Sequence, residues 1–128
     1  MKHDHQIQVE NLVKERFAFL KTDWGFGKPK CKHWSLLTQC KFSSDTLEIE
    51  IDVDWRDVIP DVVILKKGET KRHYLFHFSP EIKELTGEDP SYFSPRRFEN
   101  LEELLRHLEY LSRLLKTAMP VIVRKLAA

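Results

Sequence analysis

The sequence predicts an α+β fold, with one antiparallel sheet packed against helices on one of its faces. Residues 47–55 alternate strictly between apolar and acidic side chains, which is typical of a half-buried strand. Apolar residues recur at helical spacing near both ends of the chain. The predicted order is an N-terminal helix, a four-stranded antiparallel meander, a short helix and a long C-terminal helix packed on one sheet face.

Length and composition favour one domain. The chain has 128 residues, of which 41% are hydrophobic and 32% charged, and these values fit a single domain over 1–128. Twenty-one basic against twenty acidic side chains argue against a general nucleic-acid binder. No run approaches the ~18 apolar residues of a membrane span, and the polar first six residues lack the apolar region of a signal peptide. We therefore expect a cytoplasmic protein without membrane contact.

The first helix is predicted over residues 5–21. Two glycines and a proline in Trp24–Pro29 end it, because neither residue type extends a helix cheaply. The apolar side chains that recur at helical spacing and predict its buried face are Ile7, Val9, Leu12, Val13, Phe17 and Leu20.

Four strands are predicted from alternation and turn composition. The first two cover 31–42 and 47–55, joined by a Ser-Ser-Asp-Thr turn. The other two cover 60–67 and 72–78, on either side of a turn at 68–70. Tyr74, Phe76 and Phe78 should share one face of the last strand.

One pairing register suits the first hairpin. Placing Phe42 opposite Leu47 keeps every apolar residue of both strands on one face, and a slip of one residue would bury the carboxylates. The same register sets Lys41 opposite Glu48 and His33 opposite Arg56.

Cys31 and Cys40 fall within the first predicted strand. Nine residues of extended chain separate them by roughly 30 Å, which is beyond the reach of a disulfide. We expect both to be free thiols in a reducing compartment.

The C-terminal part is predicted to be helical. A short helix starts near Pro80 and ends near Gly87, and a loop covers 89–97. Asn100 and Glu103 have the spacing of a capping box at the start of a long leucine-rich helix. Pro120 should kink or break it, with Val121, Ile122 and Leu126 continuing the apolar stripe in a last short helix.

The acidic side of residues 47–55 is the main candidate site. Glu48, Glu50, Asp52 and Asp54 form a row whose mutual repulsion calls for a partner, an ion or a basic neighbour. Adjacent members stand about 6.5–7 Å apart and could flank an ion, but the sequence fixes no further ligand. We expect no catalytic residues, no metal and no cofactor. Acidic groups mixed with outward-facing residues such as Leu37, Val63, Leu65 or Leu75 are typical of a protein-binding surface.

A metal-dependent nuclease is the alternative from another class. Pro60-Asp61 followed by Glu69-Thr70-Lys71 has the letters of the PD-(D/E)xK motif, in which two acids hold a divalent cation and a lysine assists the attacking water. Asp52 would complete such a site. However, Glu69 and Lys71 straddle a predicted turn, whereas the chemistry requires one rigid strand.

Two further alternatives concern other partners. The apolar stripe from Val121 to Leu126 could form a homodimer. Single-stranded nucleic acid could bind a basic and aromatic group, although loop lysines are more often simply solvated. That group comprises Lys28, Lys30, Lys32, Arg96 and Arg97, with Trp24, Phe26, Tyr92 and Phe93 near them in the sequence.

The order of elements resembles small uncharacterised bacterial α+β families, several of which are toxin-immunity proteins. The resemblance is carried by Phe19-Leu20 and Trp24-Gly25-Phe26 at the end of the first helix, the alternating stretch Leu47 to Trp55, and the leucine-rich helix from Asn100. It implies a non-enzymatic immunity protein that binds a basic toxin domain. On this hypothesis the acidic row Glu48, Glu50, Asp52 and Asp54 steers association, and Trp55 and Tyr74 are aromatic anchors.

Overall fold

The computed structural model describes residues 2–87, 89–90 and 98–127. These residues form an N-terminal helical segment, an antiparallel sheet of five strands, a short helix and a long C-terminal helix, which confirms the α+β fold. The helices are α1 (Lys2–Arg16), α2 (Phe19–Trp24), α3 (Ser79–Thr86) and α4 (Leu101–Ile122). The strands are β1 (Lys30–His33), β2 (Leu37–Ser43), β3 (Leu47–Asp54), β4 (Ile59–Lys66) and β5 (His73–Tyr74).

The helix boundaries differ from the sequence prediction in two places. The segment predicted as one helix over 5–21 is divided into α1 and α2, and Gly25 in the left-handed conformation ends α2. Asn100 caps α4 as predicted, because its side chain accepts a 2.9 Å hydrogen bond from the Glu103 N–H. Pro120 does not break α4, which continues to Ile122 and then widens into a π-helical turn over Val123–Ala127.

The five strands pair in chain order, so the predicted meander is correct but has one strand more than predicted. The extra strand arises because the segment predicted as one strand over 31–42 reverses direction after Trp34. Trp34 and Leu37 exchange backbone hydrogen bonds around Ser35 and Leu36, and β1 therefore folds back on β2. His33 consequently lies opposite Thr38, and the predicted pairing with Arg56 is wrong.

The register of the β2–β3 hairpin is shifted from the predicted one. Phe42 lies opposite Ile49 instead of Leu47, and Lys41 lies opposite Glu50 instead of Glu48. The cause is a tight turn, in which the Ser44 hydroxyl accepts a 3.0 Å hydrogen bond from the Leu47 N–H. Because this shift is an even number of residues, every side chain stays on its predicted face.

The last predicted strand, 72–78, is mostly helical. Only His73 and Tyr74 pair with β4, and Leu75–Phe78 form a 3₁₀ helix that leads directly into α3. Tyr74, Phe76 and Phe78 therefore do not share one strand face.

One face of the sheet, which we call the inner face, forms the core with α1 and α4. Helix α1 contacts β2 and helix α4 contacts β4. The opposite face, which we call the outer face, carries the acidic side chains of β3. Inner-face side chains that are almost completely excluded from solvent are Thr38, Cys40, Phe42, Ile49, Ile51, Val53, Val62 and Ile64.

Cys31 and Cys40 form a disulfide, which corrects the prediction of free thiols. The reversal after Trp34 places them directly opposite each other on β1 and β2, with Cα atoms 4.0 Å apart. The predicted separation of roughly 30 Å assumed one continuous strand. The bond therefore ties the edge strand β1 to the buried strand β2.

We expect the Cys31→Ala, Cys40→Ala double variant to lose about 2 kcal/mol of unfolding free energy, because the disulfide closes a loop of sequence separation 9 in the unfolded chain. Urea unfolding of the oxidised wild type and the variant measures this difference. A reductant should destabilise the wild type alone. Alkylation of both cysteines in the purified, unreduced protein would contradict the bond.

Candidate functional site

The acidic row lies on the outer face, as the alternation predicts. Glu48, Glu50, Asp52 and Asp54 all belong to β3 and point away from α1 and α4. Strand β4 adds a fifth carboxylate to this face, because Asp61 lies directly opposite Asp52. The structure therefore widens the predicted row into a cluster across two neighbouring strands.

Basic side chains from other strands partly neutralise this cluster. The Lys41 ammonium lies 3.6 Å from Glu50 and 3.9 Å from Glu48. Arg72, in the connection before β5, places its guanidinium 3.6 Å from Glu50 and 3.5 Å from Asp52. Glu50, only 7% exposed in its side chain, is thus held between two cations. The sequence suggested that the acidic row needs a partner, an ion or a basic neighbour. For Glu48 and Glu50, basic neighbours meet this need.

Asp54, at the end of the row, has a partner close to it in the sequence. Arg56 lies 3.4 Å from the Asp54 carboxylate and holds the pKa of that carboxyl below its usual range. Arg56 is largely and Asp54 partly exposed to solvent, so this pair contributes little to stability.

Asp52 and Asp61 are the least compensated members of the cluster. Burial, together with the charge of Glu50, raises the pKa of Asp52 to about 6. Burial also raises the pKa of Asp61 to about 7, with a smaller contribution from Asp52. In the described part of the chain, the Asp52 Oδ1 atom is buried and has no hydrogen-bond partner. Arg72 is therefore the main cation for two adjacent carboxylates.

The two predicted aromatic anchors lie on different faces. Tyr74 lies beside Val63 on the outer face, and the Arg72 guanidinium sits 5.9 Å from its ring centre. Trp55 is 8% exposed in the core, where its indole N–H donates a 2.8 Å hydrogen bond to Thr38. The structure does not bring Trp55 to the acidic surface.

A polar network that the sequence analysis missed links α1 to the sheet. Thr38, besides accepting the Trp55 hydrogen bond, lies 3.1 Å from Nδ1 of His33. Nε2 of His33 lies 2.6 Å from Glu10 of α1. This hydroxyl, imidazole and carboxylate order is that of a hydrolase triad. Thr38 is fully buried, however, so the network is a structural link between α1, β1 and β2. No sequence spacing indicates it, because it depends on the reversal after Trp34.

The residues of the nuclease alternative do not form a metal site. Glu69 and Lys71 lie in the exposed connection between β4 and β5, so neither belongs to a strand. Within the ranges that the structure describes, no group of three or more histidine, cysteine, aspartate or glutamate side chains is arranged to hold a metal ion. Only Asp52 and Asp61 of that hypothesis are neighbours.

The apolar stripe of the homodimer alternative is used within the fold, whereas the described lysines of the nucleic-acid alternative, Lys28, Lys30 and Lys32, are exposed. Val121 and Ile122 of the predicted dimer stripe are buried inside the chain, and Leu126 packs against the core. Phe26 of the basic and aromatic group is buried as well. Tyr92, Phe93, Arg96, Arg97 and most of the predicted 89–97 loop lie outside the described residues.

In comparisons with known proteins, no family model, no curated protein and no solved structure matches this chain. The resemblance to immunity proteins therefore rests on the order of elements alone. Among the residues that the structure describes, no helix is long and apolar enough to cross a membrane.

We expect Asp61→Asn to stabilise the protein by about 1–2 kcal/mol near pH 8. The folded-state pKa of Asp61 is raised to about 7 from its usual 3.8. Ionised Asp61 therefore destabilises the folded protein. This effect is absent below the unfolded-state pKa, grows as the pH rises, and is complete above the folded-state pKa. Asparagine carries no charge and keeps an oxygen for the 2.9 Å hydrogen bond from the Val62 N–H.

Urea unfolding of the wild type and the variant from about pH 4 to pH 8 measures the difference, which should vanish at the acidic end. Asp54→Asn is the matched control. Arg56 lowers the pKa of Asp54, so its loss should be neutral or slightly destabilising at pH 8. A constant difference between Asp61→Asn and wild type at every pH would contradict the assignment.

Proposed function

We propose that this protein is a non-enzymatic protein-binding protein that uses the outer face of its sheet to bind a basic protein surface. More specifically, we propose an immunity protein that neutralises a toxin by covering its basic active site. The proposed surface comprises Glu48, Glu50, Asp52, Asp54, Asp61 and Tyr74.

The Asp52–Asp61 pair is the observation that carries this proposal. Five carboxylates lie on the outer face, while three cations, Lys41, Arg56 and Arg72, lie within 4 Å of any of them in the described residues. The excess negative charge falls on Asp52 and Asp61, which lie side by side and are partly buried. An arginine or lysine from a partner would stabilise the ionised state of both groups, so binding would offset the unfavourable free energy of their burial.

Apolar neighbours give the same face the composition of an interface. Leu65 and Ile59 are partly exposed beside Glu48 and Asp54, in the same cross-strand rows. Tyr74, which accepts a hydrogen bond from Arg72, supplies an aromatic side chain on the edge strand β5, opposite Val63. Aromatic anchors surrounded by polar groups are typical of protein interfaces. Trp55 is no part of the proposed surface, because it lies in the core.

We expect the immobilised protein to retain a basic protein from host or neighbouring-cell extracts at low salt near pH 7.5. Retention should fall at least about tenfold for Asp52→Asn, Asp61→Asn, because both carboxylates that attract the partner are lost. It should fall similarly for the wild type near pH 5.5, because protonation removes the same two charges. Quantitative mass spectrometry of the eluates measures both effects.

Glu84→Gln, Glu99→Gln is the matched control, since it removes the same charge from exposed positions outside the sheet. An equal loss of retention in both double variants would show that only net charge matters, and it would contradict the proposed surface. Stoichiometric inhibition of the retained protein's toxic activity then tests the immunity role separately from binding. A retained partner whose activity is unaffected would leave the binding role standing and remove the immunity role.

The proposal includes the cytoplasm as the compartment, although the Cys31–Cys40 disulfide is of the kind found in oxidising compartments. The state of the two cysteines in cells tests this part. Cytoplasmic thiols are kept reduced, whereas disulfides persist in oxidising compartments. Alkylation of intact cells before lysis should therefore label Cys31 and Cys40 in a cytoplasmic protein. Labelling of both only after a reductant is added would place the protein in an oxidising compartment instead.

A further inference from the structure

An exposed tryptophan lies at one end of the outer face. Trp34 and Leu37 exchange two backbone hydrogen bonds, so their side chains point to the same side of the sheet. Leu37 lies opposite Asp54, which places this side on the outer face. Trp34 is 48% exposed, and Leu37 and Ile59 of the same cross-strand row are partly exposed. Exposed apolar side chains grouped in this way are typical of an interface.

The same face separates its charges into two zones. Lys32 and Asp52 lie in one cross-strand row, with one residue of β2 between them. Lys30 and Glu50 have the same relation in the next row on this face. Both lysines are exposed, and neither makes an ion pair with any described residue. The outer face therefore has a positive edge on β1 and a negative zone about 10 Å away on β3 and β4.

A face with this distribution of charge is complementary to a second copy of itself. A two-fold axis that runs parallel to the strands above β2 exchanges the two sides of β2, so β1 of each copy lies over β3 of the other. Lys30 and Lys32 of each copy then face the acidic row of the other. Lys41 lies near the axis and faces its own copy, but Glu48 and Glu50, at 3.9 and 3.6 Å, already compensate its charge.

We propose that two copies of this chain form a symmetric dimer through the outer face, with the lysine edge of each copy against the acidic row of the other. The second copy adds positive charge beside Asp52, which has only Arg72 as a cation within 4 Å in the described residues. Trp34 packs at the end of the interface, above Leu37 and Ile59 of the second copy. Because β1 contributes only four residues, the contact is small and the dimer dissociates on dilution.

The dimer and the proposed basic partner use the same surface. The acidic row cannot contact both at once, so a basic protein binds the dissociated chain and competes with the second copy. The dimer itself does not depend on the proposed function, because its formation requires the purified chain alone. Its interface also differs from the apolar stripe Val121 to Leu126, which is packed within the fold.

Sedimentation equilibrium of the full chain at low salt, from about 1 µM to 1 mM, tests the proposal. The mean mass should rise from that of one chain toward that of two, and about 0.5 M salt should weaken association. Lys32→Glu should weaken it at least about tenfold, because two like-charged pairs replace two attractive ones. The matched control Lys83→Glu, at an exposed position of α3, should change the dissociation constant less than about twofold.

A charge-swap experiment tests the proposed pairing directly. Asp52→Lys should also weaken self-association, whereas its equimolar mixture with Lys32→Glu should recover the mass of a dimer, because both contacts of the mixed dimer are attractive. Trp34→Ser should weaken association of the wild type at least about tenfold, and Leu85→Ser, at a residue of α3 that is 57% exposed, is its control. Circular dichroism shows whether each variant is folded, and if Asp52→Lys is not, the other variants decide.

A monomer at every concentration would overturn the dimer. Equal effects of Lys32→Glu and Lys83→Glu, equal effects of Trp34→Ser and Leu85→Ser, or a mixture of folded charge-swap variants that stays monomeric would each overturn the proposed interface. A monomeric chain that retains a basic protein would contradict this inference alone. A dimer that retains no basic protein would contradict the proposed function alone.

Discussion

Burial of the inner sheet face beneath α1 and α4 is the constraint on which the rest of the structure depends. Ile49, Ile51 and Val53 of β3 are almost completely excluded from solvent, and this fixes the strand about its own axis. Successive side chains of a strand point to opposite faces. The four acids that alternate with these apolar residues, Glu48, Glu50, Asp52 and Asp54, must therefore lie on the outer face. Apolar burial therefore overrides the repulsion among the carboxylates, and Lys41 and Arg72 reduce that repulsion afterwards.

The same period of two explains what the sequence predicts well and what it does not. An even register shift leaves every side chain on its face, so the acidic row was predictable although Phe42 pairs with Ile49. The reversal of the chain at Ser35–Leu36 could not be predicted. The alternation of apolar and polar residues continues through it, and no glycine, proline or asparagine marks a turn there. Because the prediction treated 31–42 as one continuous strand, it lacked one strand and assigned the two cysteines as free thiols.

The candidate site was predictable only where it lies on a single strand. Asp61 joins Asp52 through the β3–β4 register, and Arg72 reaches Asp52 from beyond the next turn. These contacts join residues distant in the sequence, and alternation within one strand contains no information about them.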